Sequence, residues 1–465
     1  MLNKFKTFEG FNVTVHTNKN CTLKCSYCYE MNKAASIKED EEFWKTTKHA
    51  DEKRSYDFVE KQCDDNVIDV EKVKVFIDRI LDFPETEFFK TFTKNRDAVV
   101  LDFIGGDSLQ YPELLDDVLT YFVQRLIKRN HRWLYNWRVS ISSNGVTLLN
   151  PKVRQFLENW KENISLGISI DGCPELHDLN RWCFADNTDG SHRGSWQYIK
   201  EIWSWYKKTF PGDCMRTKWT LVPNSYKYMM PSIKFLHEEL RMTYLMFNRA
   251  MEDDVQDTAE DLWELIQQFE SAVDYVVEHH TDIWCNPFDF NNTRNITKDD
   301  QLKADPKYTR CGFGVMPALS LDGNVYPCFR MVPGSNHIRN AEKYAQGTFD
   351  DILRNEKQLI ELNVNSRAVN MKLKDKCETC KLFVTCPHCA ADCVNEEGGT
   401  LTKTTSVCNY IRLEVYYARK YWTKIKSLYP NMYKKYEITW TQEDQDELMR
   451  LVLEDIVNLK EKENN

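Results

Sequence analysis

Apolar and polar positions along the first half of the chain switch repeatedly between a two-residue and a helical period. FNVTVHTNKN, within residues 10–20, alternates loosely and runs straight into a cysteine, which predicts a strand. AVVLDFIGG (98–106) is an apolar run closed by glycines, the pattern of a buried strand and a tight turn. WRVSISSNG (137–145) and ISLGISIDG (164–172) repeat the strand-then-turn signal, and MRTKWTLVPN (215–224) and TYLMFNR (243–249) add two further strands. Helical spacing appears between them, at 70–82, at 111–130 with Pro112 in the first turn, at 151–163, at 195–210 and at 232–242. This alternation predicts an α/β fold whose parallel sheet is covered by helices. Five or six βα units are too few for a closed eight-stranded barrel, so a partial barrel or an open sheet is expected. Both scaffolds place ligands at the carboxyl ends of their strands. The first cysteines and the turns at Gly105, Asn144 and Asp171 all follow strands, and are expected to meet at one mouth.

The pattern changes after residue 250. A polar, charged stretch at 33–66 reads as a surface excursion, and 251–304 as a bridge opening with the acidic helical run at 257–280. Residues 305–410 are turn-rich and cysteine-rich, with few long apolar runs, so metal is expected to hold them together. Residues 411–465 return to helical spacing, and Asp444 stands three residues after Thr441 as in a capping box. The expected division is therefore 1–250, 251–304, 305–410 and 411–465.

Charge and composition narrow the classes. The net charge is −9 with both signs interspersed, so nucleic acid is not an expected partner. The first residues lack an apolar signal-peptide core, and no window approaches 18 apolar residues, so a cytoplasmic protein with no membrane span is expected. In a reducing compartment the 16 cysteines call for metal rather than disulfides. CTLKCSYC supplies Cys21, Cys25 and Cys28 within eight residues. Three thiolates on so short a loop can hold three irons of a cubane and leave the fourth open to a ligand. Zinc is the rival, although no nearby histidine completes a four-ligand site, His16 being on the preceding strand. A second field contains Cys311, Cys328, Cys377, Cys380, Cys386, Cys389, Cys393 and Cys408. Eight thiolates can satisfy two four-cysteine clusters, or one cluster and a zinc site. DGNV, before Cys328, predicts a tight hairpin turn. The remaining cysteines are scattered.

CTLKCSYC, with Tyr27 at its aromatic position, resembles the cluster loop of the radical S-adenosylmethionine superfamily. The resemblance covers about 10–250 and implies a partial (β/α)6 TIM-type barrel, a [4Fe–4S] cluster and bound S-adenosylmethionine. IGGDS (104–108) resembles the family's Gly-Gly-Glu motif, with Asp107 in place of Glu, and implies that Gly105, Gly106 and Asp107 meet the cofactor. SSNG (142–145) resembles the family's later strand-end turn and adds Ser142 and Asn144. SIDGCPELHDLNR (169–181) implies Ser169 near the ribose and Arg181 near the cofactor carboxylate, with Asp171 organising the loop and His177 capping or buried.

The second field resembles the SPASM extension of peptide- and protein-modifying radical enzymes. That resemblance implies two auxiliary [4Fe–4S] clusters, three in all. Cys377, Cys380, Cys386 and Cys408 would hold the outer one, and Cys311, Cys328 and Cys393 the inner one. Cys285, Cys389 or a substrate thiolate would be the inner cluster's fourth ligand. The sulfatase-maturing members carry an acidic base directly after the cysteine of the GxVYxC turn, where this chain has Phe329. The resemblance is closer to maturases of ribosomally made peptides. It implies a precursor peptide as substrate, an oxidative crosslink such as a cysteine thioether, and a reducing partner such as flavodoxin or ferredoxin. The chain reaches Cys21 almost at once, so leader recognition is expected from the bridge, the last helices or a separate protein. No residue stands out as a general base.

Overall fold

A computed structural model describes residues 11–28, 30, 66–82, 98–183, 191–250, 256–295, 313–314, 316–333, 345, 347–348, 351, 375–383, 386, 389–391, 393 and 407–463. The excursion expected at 33–66 lies outside these residues, apart from Asn66, as does Cys311.

In chain order the elements are β1 (Phe11–Asn18), β2 (Leu23–Cys25), α1 (Val70–Asp82), β3 (Val99–Gly105), α2 (Pro112–Lys128), β4 (Trp137–Ser143), α3 (Pro151–Trp160) and β5 (Ile164–Ile168). Then follow α4 (Pro174–Asn180), β6 (Arg181–Cys183), α5 (Trp196–Thr209), β7 (Arg216–Leu221), α6 (Met229–Lys234), β8 (Tyr244–Arg249), α7 (Ala259–Glu278) and β9 (Trp284–Cys285). The last are β10 (Ala318–Leu319), β11 (Val325–Tyr326), α8 (Cys408–Leu428) and α9 (Gln442–Glu463). The fold is mixed α/β, with a partial parallel-sheet core and a C-terminal cluster of helices. It forms two compact units. The first gathers residues 1–168, 181–213 and 304–370, and the second 169–180, 214–303 and 371–465.

The first unit is built on a sheet of order β11-β10-β1-β3-β4-β5, parallel except for the β10–β11 hairpin. Register sorts its two faces. Val13, Leu101, Val139 and Ile164 form one cross-strand row, and Val15, Phe103, Ile141 and Leu166 another. These rows are buried, and α1 offers a matching stripe of Val73, Phe76, Ile77, Ile80 and Leu81 at helical spacing. Because side chains alternate, the intervening row of Thr14, Asp102, Ser140 and Ser165 lies on the opposite face, which is polar. Pro112 opens α2, and Pro151 opens α3 behind Asn150, whose side chain accepts from the Lys152 amide. The DGNV turn forms as expected, with Gly323 at φ 88°, and its hairpin lies alongside β1.

The second unit has a parallel sheet β7-β8-β9 and the helices α6 to α9. Trp219 of β7 stacks on Phe247 of β8, with ring centroids 4.5 Å apart. The expected helix at 232–242 begins earlier, because Pro231 suits a first turn, and it ends in a π-helical turn, Phe235–Glu239, followed by Arg241 at φ 60°. Thr258 and Asp261 box the start of α7, and Thr441 and Asp444 that of α9. Phe269 of α7 lies flat on Tyr417 of α8 at 5.2 Å and is fully buried. Truncating it leaves a cavity between these helices. Phe269→Ala is expected to cost about 3–5 kcal/mol, read as a lower thermal midpoint with the secondary structure content retained.

Candidate active site

The loop that carries the first cysteines is gripped by backbone on one side and by a short strand on the other. β3 ends on Gly105, at φ 141°, and Gly106. The Gly106 amide donates to the Asn18 carbonyl at 2.9 Å, and the Asp107 amide to the Asn20 carbonyl at 2.8 Å. A Cβ on Gly105 would stand 2.2 Å from the Asn18 oxygen, and one on Gly106 2.1 Å from the Asn20 oxygen. No side chain fits at either position, so the glycine pair permits this approach of two backbones. Downstream, β2 pairs antiparallel with β6, which sets Cys25 opposite Arg181. The Arg181 guanidinium donates to the Tyr27 hydroxyl at 2.7 Å. Two residues singled out from the sequence, 154 positions apart, thus touch within this unit.

Asp107 ties the end of β3 to the end of β4. One carboxylate oxygen accepts from the Leu109 amide at 3.1 Å. The other accepts from the Ser143 hydroxyl at 2.9 Å and the Asn144 amide at 3.0 Å. The residue is buried, and burial pushes its carboxyl up to about 6 against the lowering effect of these donors. Asn144 then reaches the cysteine loop, where its side-chain amide donates to Thr22 Oγ1 at 3.0 Å and Cys21 Sγ at 3.4 Å. Ser142 is exposed on the opposite side of β4, beside Gly167 of β5. Ser143 is the partner that the sequence reading missed, together with Asn18 and Asn20, which brace the approach to Cys21. Asn18 donates to the Asp107 carbonyl, and Asn20 to the Tyr111 hydroxyl at 2.6 Å.

The Cys21 and Cys28 thiols are poor acids as they stand. Burial is the main cause, pushing Cys21 up to about 12 with help from Asp107 and Cys25, and raising Cys28 with help from Cys25 and Cys21. Their mutual repulsion shows that the sulfurs share one electrostatic neighbourhood. A donor set of this kind is deprotonated by a cationic metal group that offsets the crowding. An all-sulfur set of three fits an iron–sulfur cluster. The polar face of the sheet also has unmet demand. Thr14 Oγ1 and His16 Nδ1 are buried without a hydrogen-bond partner among the described residues. His16 Nε2 lies 3.2 Å from Glu30, two residues past Cys28. Orphaned atoms at the carboxyl end of β1 suit a polar ligand.

In the second unit, Ser169 is half-buried directly after β5. Asp171 accepts from the Thr220 amide at 3.4 Å, and its own amide donates to Nδ1 of the buried His177. Gly172, at φ 77°, leaves no room for a Cβ beside Ser232. Asp171 and His177 thus organise this turn. Cys377, Cys386 and Cys393 are buried, while Cys380, Cys389 and Cys408 are half-buried. The Cys380 amide donates to the Cys377 carbonyl, and the Cys393 amide to that of Cys389. Lys381 fastens the segment to α9 through Asp444 and Glu447, each at 2.7 Å. Cys285 is buried in β9, and burial alone raises its thiol. In the first unit, Cys328 follows the β10–β11 hairpin.

No family model matches the chain. In sequence it is 26% identical over 286 residues to the cysteine-type anaerobic sulfatase-maturating enzyme of Clostridium perfringens, covering 57% of this chain and 68% of that protein. In structure it matches native anSMEcpe with bound AdoMet and the Cp18Cys peptide at a TM-score of 0.59 and 17% identity, over 90% of this chain and 98% of the other. Streptococcus suis SuiB bound to S-adenosylmethionine matches at a TM-score of 0.51 and 14% identity, over 85% and 77% of the two chains. In fold the chain is similar to these radical S-adenosylmethionine/SPASM-type structures, and in sequence to the sulfatase-maturating enzyme. It is an enzyme that resembles both the anaerobic sulfatase-maturating enzymes and SuiB.

The grip on the cysteine loop is testable at Gly106. Gly106→Ala is expected to push residues 18–20 away and to lower by about half or more the iron and sulfide that a cluster on Cys21, Cys25 and Cys28 would contribute. Metal analysis beside a circular dichroism spectrum would check this.

Proposed function

We propose that the chain uses S-adenosylmethionine and a [4Fe–4S] cluster held by Cys21, Cys25 and Cys28 to oxidise a side chain of a peptide or protein. When bound, the cluster and S-adenosylmethionine would supply the radical chemistry that removes a substrate hydrogen. The chain's own residues position the reactants. Gly105 and Gly106 offer backbone at the strand end, Asn144 steadies Cys21, and the Arg181–Tyr27 pair provides a cationic contact for a carboxylate beside the loop. Ser142 and Ser169 are offered as further cofactor contacts. Asp107 has its oxygens turned to Leu109, Ser143 and Asn144, so its part is to hold the two strand ends together. Cys328, Cys377, Cys380, Cys386, Cys389, Cys393 and Cys408, with Cys311, are proposed to bind two auxiliary clusters within 305–410.

The observation that carries the reading of substrate and reaction is the sequence likeness to a cysteine-type sulfatase-maturating enzyme across more than half of the chain. It is supported by the fold shared with a relative whose structure holds a cysteine peptide. The reaction proposed first is therefore the two-electron oxidation of a peptidyl cysteine or serine to an aldehyde, in which one electron would leave with the hydrogen atom, the second would pass to an auxiliary cluster, and water would replace a cysteine's sulfur, released as sulfide. Phe329, which has no basic atom where those enzymes carry an acidic residue, favours a second reading. In that reading the substrate's own thiolate is the nucleophile and the product is a thioether crosslink.

Mass spectrometry separates the two on a cysteine peptide incubated with reduced, cluster-loaded protein. Conversion of cysteine to the aldehyde removes sulfur and adds oxygen, whereas a crosslink removes two hydrogens and keeps the sulfur. The expected outcome is the first, with 5′-deoxyadenosine released. Cys25→Ala is expected to abolish that release. Release persisting in Cys25→Ala would overturn the assignment of the cluster loop.

A further inference from the structure

A different cluster of ligand-type side chains lies in the second unit, at the meeting of the π-helical turn and the end of α7. His237 sits in the turn Phe235–Glu239, and His279 and Asp282 follow the last turn of α7. One ligand atom from each of the three lies within 4.8 Å of the others. The rings of His237 and His279 have centroids 4.9 Å apart, and His279 Nδ1 is 3.7 Å from Asp282 Oδ2.

The hydrogen bonds around His237 determine which nitrogen is available. The Tyr275 hydroxyl donates to Glu238 Oε1 at 2.9 Å. Its oxygen therefore accepts from His237 Nδ1, which is 2.7 Å away. That tautomer leaves the lone pair on Nε2. A histidine whose far nitrogen donates into a hydroxyl–carboxylate relay has the outer support usual for metal-ligating imidazoles. The backbone points the same way. A π turn is rare, is enriched at functional sites, and here displaces His237 from regular helical register. The Leu240 amide completes the turn by donating to the Phe235 carbonyl at 3.2 Å.

We propose that His237, His279 and Asp282 bind a divalent cation of the zinc class, independently of the cysteine-bound groups and of the reaction proposed above. Two imidazoles and one carboxylate select zinc, cobalt or nickel over the oxygen-seeking magnesium and calcium. Three protein ligands leave a position for water. His237 and His279 are half-buried and Asp282 is exposed, so the ion exchanges with solvent. When bound, it pins the π turn to the end of α7.

The test is a Co2+ titration of full-length, cluster-loaded protein, with Zn2+ as competitor, in wild type, His279→Gln and Asp282→Asn. The exposed Asp282 makes its variant one that folds. Wild type is expected to take up one Co2+ per chain beyond its clusters, its difference spectrum against cobalt-free protein showing the visible bands of a nitrogen–oxygen site and no thiolate-to-cobalt band, and Zn2+ is expected to displace it. His279→Gln is expected to lose that Co2+, and Asp282→Asn to bind it at least tenfold more weakly. Identical titrations in all three proteins, or a thiolate-to-cobalt band in the wild-type difference spectrum after subtraction of the cobalt-free protein, would overturn the proposal.

Discussion

The candidate site depends on a contact between two stretches of backbone with nothing between them. Residues 18–20 and the Gly105–Gly106 turn approach so closely that even a methyl group at either glycine would overlap a carbonyl oxygen. The two amides that face residues 18–20 are thereby satisfied without water. The start of the cysteine loop is consequently fixed to the carboxyl end of β3, and its direction of travel is set before Cys21 is reached. β2 fixes the other end of the loop by pairing with β6. Cys21 and Cys25 are thus held by regular hydrogen-bonded structure at both flanks.

Asp107 extends this arrangement sideways. A buried carboxylate that accepts from two backbone amides and a serine hydroxyl is a strut, and its satisfied oxygens offset the burial that raises its proton affinity. The shorter side chain suits the task, because it reaches the neighbouring strand end and goes no further. Asn144 sits on that strut with its side chain toward the loop, so β3, β4 and the cysteines are linked through one chain of hydrogen bonds. The unpartnered atoms of Thr14 and His16 lie on the polar side of the same sheet, where a ligand would complete them.

Much of this was legible in the sequence. The alternating periods announce the βα units, the glycines mark the strand ends, and the spacing of three cysteines identifies the loop. The reason for the glycine pair was not legible, because it lies in a carbonyl some 85 residues upstream. Parity was a second blind spot. Ser142 and Ser143 are the same residue type side by side, and only the register of β4 determines that Ser143 turns in to Asp107. The hairpin turn at DGNV was readable locally, but its partner strand was not. The segment 169–180 reads as a continuation of the first sheet, yet its contacts group it with the second unit, since Asp171 and Gly172 are braced by Thr220 and Ser232.

The placement of the β10–β11 hairpin bears on how the protein is made. Thr14 pairs with Ala318, roughly three hundred residues later in the chain. During synthesis β1 emerges some three hundred residues ahead of its partner, and one of its edges stays uncovered until the ribosome has delivered the β10–β11 hairpin. Pairings so distant in sequence form late, and an open strand edge is a site for sticking to other chains. Chaperone capture of the nascent chain, and poor recovery of versions truncated before residue 318, are natural corollaries of this topology.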